Sequence, residues 1–451
     1  MKKIAAIFKN KEIVDRIFFT IMILFVFRLG AAIKVPGVTV SDLSFSNNDA
    51  FGLMNLLGGG TLQSFSIFAL GVSPYITAQI IVQLLSMDVL PALTELSKQG
   101  QAGRKKLDLT NRYLTLLLGA VQAYGIIKTM EVNSYITLDS TSFWSYTYII
   151  TIMLSGTMLT MWLGDQITTK GIGNGISMII FAGIVVSLPN QITSAYQTWL
   201  ADKFGQTSAR ILSGAMQFGI YILAFVLIIG FITFIEMSQR KIPVQHAGKG
   251  GMTAKYSQAS FLPIKINSSG VIPVIFASSI MMAPQVIVSF IAGANQNAEW
   301  LKIFNSSDLV RMPWFNNQTW QMPWGLIIYI TLIVLFAFFY AKIQINPEQL
   351  AENFQKNGSY IPGVRPGNET ERYVNKVVNR ITVIGATSLA TIAALPILLV
   401  LFQVVPDQSL ALGGTGLIIV VGVAMELNNQ IDGLLAGKSF EEVVRKGGRR
   451  R

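Results

Sequence analysis

The chain has 451 residues, 51% of them hydrophobic and 13% charged, with a mean hydropathy of +0.51. A soluble domain averages about a quarter charged residues, so this surface cannot all face water. Cysteine is absent, which excludes disulfides, thiol catalysis and cysteine-ligated metals; the single histidine, His246, lies in a polar Gly/Lys-rich stretch with no second ligand nearby.

Apolar blocks near the ~20 residues needed to cross the hydrocarbon predict spans. They fall at 17–33, 67–87, 113–130, 146–163, 176–190, 211–235, 270–292, 324–345, 378–402 and 413–428. Such unbroken runs exclude the alternating pattern of membrane strands, so the expected class is an all-α integral membrane protein with about ten transmembrane helices. Before the first span, Met1–Asn10 is basic, and Gly30-Ala31-Ala32 after it has the small residues of a signal-peptide cleavage site. Glu12 and Asp15 interrupt that basic region, and the span count is even only with this span kept, so it is read as retained.

Asp49–Phe65 follows, apolar but too short to span and broken by Gly58, Gly59 and Gly60. Two readings stand: a half-helix dipping back into the protein, or an external loop with an interfacial turn. Between the fourth and fifth spans lies Gly171-Ile172-Gly173-Asn174-Gly175. No strand precedes it, so a tight interhelical turn is expected rather than a nucleotide cradle. The polar stretch 190–209 divides the spans five and five, which sets 1–205 and 206–451 as two halves. Five is odd, so halves of a shared fold would be related as an inverted repeat with a site between them.

Two long basic loops follow, 239–265 with Arg240, Lys241, Lys249 and Lys255, and 342–376 with Lys356, Arg365 and Arg372. They serve as topology anchors or as a dock for an acidic or RNA-bearing partner. With alternating spans, one side carries 28 of the 35 Lys and Arg, which predicts both termini on the cytoplasmic side of the cell membrane. Net charge is +12. Near the C-terminus, Gly437-Lys438-Ser439 imitates the end of a phosphate-binding loop, but Gly433 is one place off the required position and no strand leads in. The chain therefore has no ATPase motif of its own. Its spans are nearly free of charge, with Arg28 toward the outer end of the first and Asp165, Glu236 and Glu426 near cytoplasmic ends.

Several stretches resemble the SecY family. Phe68-Ala69-Leu70-Gly71-Val72-Ser73-Pro74-Tyr75-Ile76 is similar to the start of its second channel helix. Trp162-Leu163-Gly164-Asp165-Gln166-Ile167-Thr168, running on into Ile176-Ser177, is equally similar, as are Gly270-Val271-Ile272-Pro273, Phe276-Ala277-Ser278-Ser279 and Ile361-Pro362-Gly363-Val364-Arg365-Pro366-Gly367. The likeness runs in order through nearly the whole chain.

The resemblance implies an hourglass protein-conducting channel whose halves hinge like a clamshell, with no cofactor, no metal and no catalytic residue. Its waist would be an aliphatic ring of Val72, Ile76, Ile176, Ile180, Ile275 and Ile419. The plug would lie within 51–65, comprising Phe51, Leu53, Met54, Asn55, Leu56, Leu57, Gly58, Gly59 and Gly60. Thr77, Gln83 and Asn267 would line a lateral gate between spans 2–3 and 7–8, held by a hydrogen-bonded polar cluster. Arg240, Lys241, Lys255, Lys356 and Arg365 would dock a motor or ribosome. Implied partners are SecE-type and SecG-type small membrane subunits, a SecA-type ATPase, the ribosome, the translocating polypeptide with its signal sequence, and membrane lipids. The rival reading is a secondary solute transporter; a membrane-embedded enzyme lacks any clustered His, carboxylate or nucleophile–base set.

Overall fold

The structure, a computed structural model, describes residues 7–40, 55, 58–86, 90–132, 135–138, 140, 142–201, 208–246, 260–289, 299–305, 323–401 and 414–448. The first half contributes α1 (Lys11–Ala31), β1 (Val38–Val40), α2 (Ser73–Leu85), α3 (Pro91–Lys98), α4 (Gly100–Val132), β2 (Ile136–Leu138), α5 (Phe143–Lys170) and α6 (Gly175–Trp199). The second contributes α7 (Ser208–Met237), β3 (Gln239–His246), β4 (Ser260–Lys265), α8 (Ile272–Ser289), α9 (Glu299–Lys302), α10 (Trp324–Gln344), α11 (Pro347–Lys356), β5 (Ser359–Tyr360), α12 (Asn368–Leu401) and α13 (Gly414–Gly448).

Among the described residues, seven helical stretches are long and apolar enough to cross a membrane. They lie in α4, α5, α6, α7, α10 with α11, α12 and α13. The other three expected spans are α1, α2 and α8. α1 has 21 residues but carries charge at Lys11, Glu12, Asp15, Arg16 and Arg28, whereas α2 has only 13. α2 is short because the chain enters it through consecutive turns over 61–72, and Pro74 fixes its first turn. α8 holds Pro284 in its interior. The expected multi-spanning helical membrane fold is thus present. α4, α5 and α12 are longer than their apolar runs because polar turns extend them past the lipid, as in Gly100–Asn111 of α4.

Within the first five spans, α4 packs on α2 and α5, and α5 on α1 and α6. Within the last five, α10 packs on α8 and α12, and α13 on α12 and α7. The two groups meet along two seams: α13 and α7 against α6 on one side, and α8 against α4 and α2 on the other. Exposed apolar side chains fill the outer faces; α7 alone presents Leu212, Met216, Ile220, Leu223, Leu227 and Phe234. That is the surface of a protein dissolved in hydrocarbon.

The region 239–265, read from sequence as a loop, contains a hairpin. β3 pairs antiparallel with β4, from Gln239 opposite Lys265 to Val244 opposite Ser260. The second basic loop joins the same sheet, since β5 pairs with Gln245 and His246. Ile242, Ile264 and Ile361 are buried against Val374, Val378 and Ile381 of α12. A smaller antiparallel pair, β1 with β2, lies at the other end of the first group.

Candidate pore and seam

The six aliphatic residues come from four helices, counting Val72 at the start of α2. Val72 caps α2 and Ile76 lies in its first turn, Ile176 and Ile180 follow one another by a turn on α6, Ile275 is on α8 and Ile419 on α13. All belong to one hydrophobic cluster, five of them buried and Ile176 partly so. α6 is held in register by Asn174, whose Oδ1 accepts from Ile176 N (3.1 Å) and Ser177 N (3.4 Å), satisfying amides left open at a helix start. Five of the six are isoleucine and the sixth valine, whose branched Cβ restricts χ1, so these side chains are stiff as well as apolar.

On one side of this cluster lies a cavity of about 270 Å³. Ile76, Ile176, Ile180 and Ile275 are part of its lining, and Gln79, Gln83, Asp108, Arg112, Asp165 and Ser177 supply polar lining. Arg112 of α4 and Asp165 of α5, both in its lining, are ion-paired at 2.6 Å.

On the other side, one turn beyond Ile180, Gly183 of α6 receives the glycine segment. A Cβ at Gly59 would lie 2.5 Å from Gly183 Cα, and Gly59 and Gly60 have φ of +72° and +86°. Only glycine adopts these angles without strain and permits this approach. Arg28 Nη1 of α1 donates to Gly59 O at 2.8 Å. Asn55 O accepts from Gly60 N (2.8 Å) and its Oδ1 from Gln63 N (2.9 Å). Leu62 and Phe65 are 0% exposed, and Phe68, Ala69 and Leu70 are buried. Residues 61–70 are therefore a largely buried run of turns, while Asn55 and Gly58 before them are helical and most of 49–57 lies outside the described residues. Phe51, Leu53, Met54, Leu56 and Leu57 lie outside the described residues.

Thr77, Gln83 and Asn267 do not form one cluster in the described structure. Thr77 Oγ1 donates to Ser73 O within its own helix (3.1 Å). Asn267 is buried and donates from Nδ2 to the Glu236 carboxylate, while Ser269 Oγ donates to its Oδ1 (3.2 Å). Gln83 reaches across: its Oε1 accepts from the Tyr340 hydroxyl of α10 at 3.2 Å. Tyr340 and Phe336 stand edge-on to Phe276 of α8, each with ring centroids at 5.7 Å. Tyr340 and Phe276 are seam residues that the sequence reading did not single out.

At the seam of α6 with α13, amides of the Gly171–Gly175 turn reach neighbouring helices. Ile172 N donates to Thr20 Oγ1 of α1 (3.0 Å), Gly173 N to Gln430 Oε1 of α13 (2.8 Å) and Gly175 N to Thr168 Oγ1 (2.8 Å). These amides serve helix docking, as expected of an interhelical turn.

The candidate docking cations fall on the joined sheet and its flanks. Arg240 and Lys241 are exposed on β3, Lys356 is exposed at the end of α11 and pairs with Glu352 (3.0 Å), and Lys255 lies outside the described residues. Arg365 is exposed between Gly363 and Gly367, both at positive φ, and its carbonyl accepts from Thr370 Oγ1 (2.9 Å).

The SecY family model matches residues 66–428. The chain is 43% identical to protein translocase subunit SecY of Mycoplasma capricolum over 96% of its own length and 89% of that protein's. Its fold is similar to a solved protein-conducting channel, with a TM-score of 0.66 at 15% identity, covering 93% of this chain and 92% of that one. It is also similar, with a TM-score of 0.64 at 16% identity and the same coverage, to a SecY structure whose plug domain stabilises the closed state of the translocation channel and maintains a membrane seal.

Proposed function

The chain belongs to the SecY family, and we propose that it works as a gated channel whose waist is the Val72–Ile76–Ile176–Ile180–Ile275–Ile419 cluster. It is an integral membrane protein-translocating subunit and not an enzyme: it passes unfolded secretory polypeptides and releases transmembrane segments sideways into lipid, driven from outside. The solute-transporter alternative has no support among the relatives.

One observation carries the pore reading: residues from α2, α6, α8 and α13, drawn from Val72 to Ile419 along the sequence, belong to a single apolar cluster with a polar cavity beside it. Uncharged apolar walls exclude ions by refusing to wet, and they select no polypeptide sequence. Burial of residues 61–70 beyond the waist supports a plug there, and contact of α8 with α2 and α4 supports a lateral gate at that seam. The exposed cations of β3 and the Arg365 loop support docking of a SecA-type motor or a ribosome, with SecE-type and SecG-type subunits as membrane partners. Both termini are read as cytoplasmic, on the face of that sheet.

The test replaces Ile76, Ile180 and Ile275 together by Ser. Planar-bilayer recordings should show ion current without a translocating substrate, and signal-sequence selectivity should relax. Ile→Val at the same positions, costing about 0.5–1.5 kcal/mol each, should keep the pore silent. A silent triple Ser variant with strict signal dependence would sink this assignment of the waist.

A further inference from the structure

Arg28 is a half-buried cation in the last turn of a membrane helix, and nothing in the waist or seam chemistry uses it. A charge at such depth is costly unless it is satisfied. Among the described residues it forms no ion pair; its Nη1 donates to the carbonyl of Gly59 at 2.8 Å. Gly59 is also the residue pressed against Gly183 of α6, at a φ of +72°. The same backbone is thus gripped from α1 by a charged donor and stopped by α6 through a glycine–glycine contact one turn from Ile180.

We propose that Arg28 is the positioning residue that seats the 58–65 segment in the resting channel. This rests on the plug reading of that segment. The guanidinium–carbonyl bond must break when the segment leaves, and the guanidinium then hydrates in the vacated space, so the same residue that stabilises the seat lowers the cost of an empty one. A neutral or shorter donor gives up one or both effects.

The chain has no cysteine, so a single reporter thiol is unambiguous. Leu62→Cys places it at a position that is 0% exposed and three residues from Gly59. In the full chain in vesicles, a membrane-impermeant maleimide should label it slowly at rest and faster while a polypeptide occupies the channel. Arg28→Gln should raise resting labelling about tenfold or more, the scale of a hydrogen bond to a charged group. Arg28→Lys, which keeps a charged donor, should fall between. Gly59→Ala should raise labelling with Arg28 intact, because its Cβ would collide with Gly183. A second reporter, Ile333→Cys, buried in the other helix group, should stay unlabelled throughout.

Wild-type labelling in Arg28→Gln overturns the seating role. If that variant fails to accumulate, wild-type labelling in both Arg28→Lys and Gly59→Ala overturns it equally. Labelling of Ile333→Cys alongside Leu62→Cys would mean general loosening and also overturn it. If Leu62→Cys stays unlabelled in the wild type even during translocation, the plug reading itself fails and the seat with it.

Discussion

The Tyr340 hydroxyl and Gln83 carbonyl lie 3.2 Å apart on helices from different halves, with the tyrosine ring held edge-on by Phe276. A hydrogen bond between membrane helices averages about 0.6 kcal/mol, so this one holds the seam without locking it. Tyr340→Phe removes the oxygen and keeps the ring packing. It should favour the open seam about threefold, read as faster export of a reporter with a weakened signal sequence, and Gln83→Leu in the same chain should add nothing. Equal export of that reporter by wild type and Tyr340→Phe would remove the bond from the gate. Of the six candidate ring residues, Val72, Ile76 and Ile176 lie inside motifs quoted from the sequence, and the structure places all six in one apolar cluster. Tyr340 was not, since an aromatic in the run Phe336–Tyr340 suits lipid, core or seam equally, and its partner is 257 positions away. Asn267 was read as a gate residue, yet its described bonds run to Glu236 and Ser269 in its own half.

Helices were the most legible elements, as every expected span has a described helix within it or around it. Their ends were less so, because a helix continues past the lipid wherever propensity and capping allow, and hydropathy records only the apolar part. The strands were the main omission. In Gln239–Gln245 only Ile242 and Val244 are buried, a two-residue alternation too short to stand out among lysines and glycines. The pairing of β5 with β3 could not be read at all, since more than a hundred residues separate them. That pairing makes the two basic loops one platform from which Arg365 projects. Arg365→Glu should impair export driven by a motor or coupled to a ribosome, because reversal turns attraction into repulsion, while insertion and folding stay intact. Normal export by a folded Arg365→Glu channel would reduce the loop to a topology anchor.

At the scale of the whole molecule, the proposed orientation rests on the 28 of 35 basic residues assigned to one side. Single cysteines placed at Arg240, Arg365 and Arg445 should all react only with reagent supplied from the cytoplasmic side. One thiol reacting from the opposite side would break the ten-span topology. The same cysteine-free background lets each position be read alone.

The proposed apolar waist has a further consequence for motion. A polypeptide threaded through it meets branched methyl groups and no hydrogen-bond partner, so no register along the substrate is held more tightly than the next. Such a collar offers friction without grip: the threaded chain slides backward as readily as forward. Net direction is then set wholly at the two mouths, by whatever pushes on one side or folds and is captured on the other, and a stalled substrate should slip out once that bias is withdrawn.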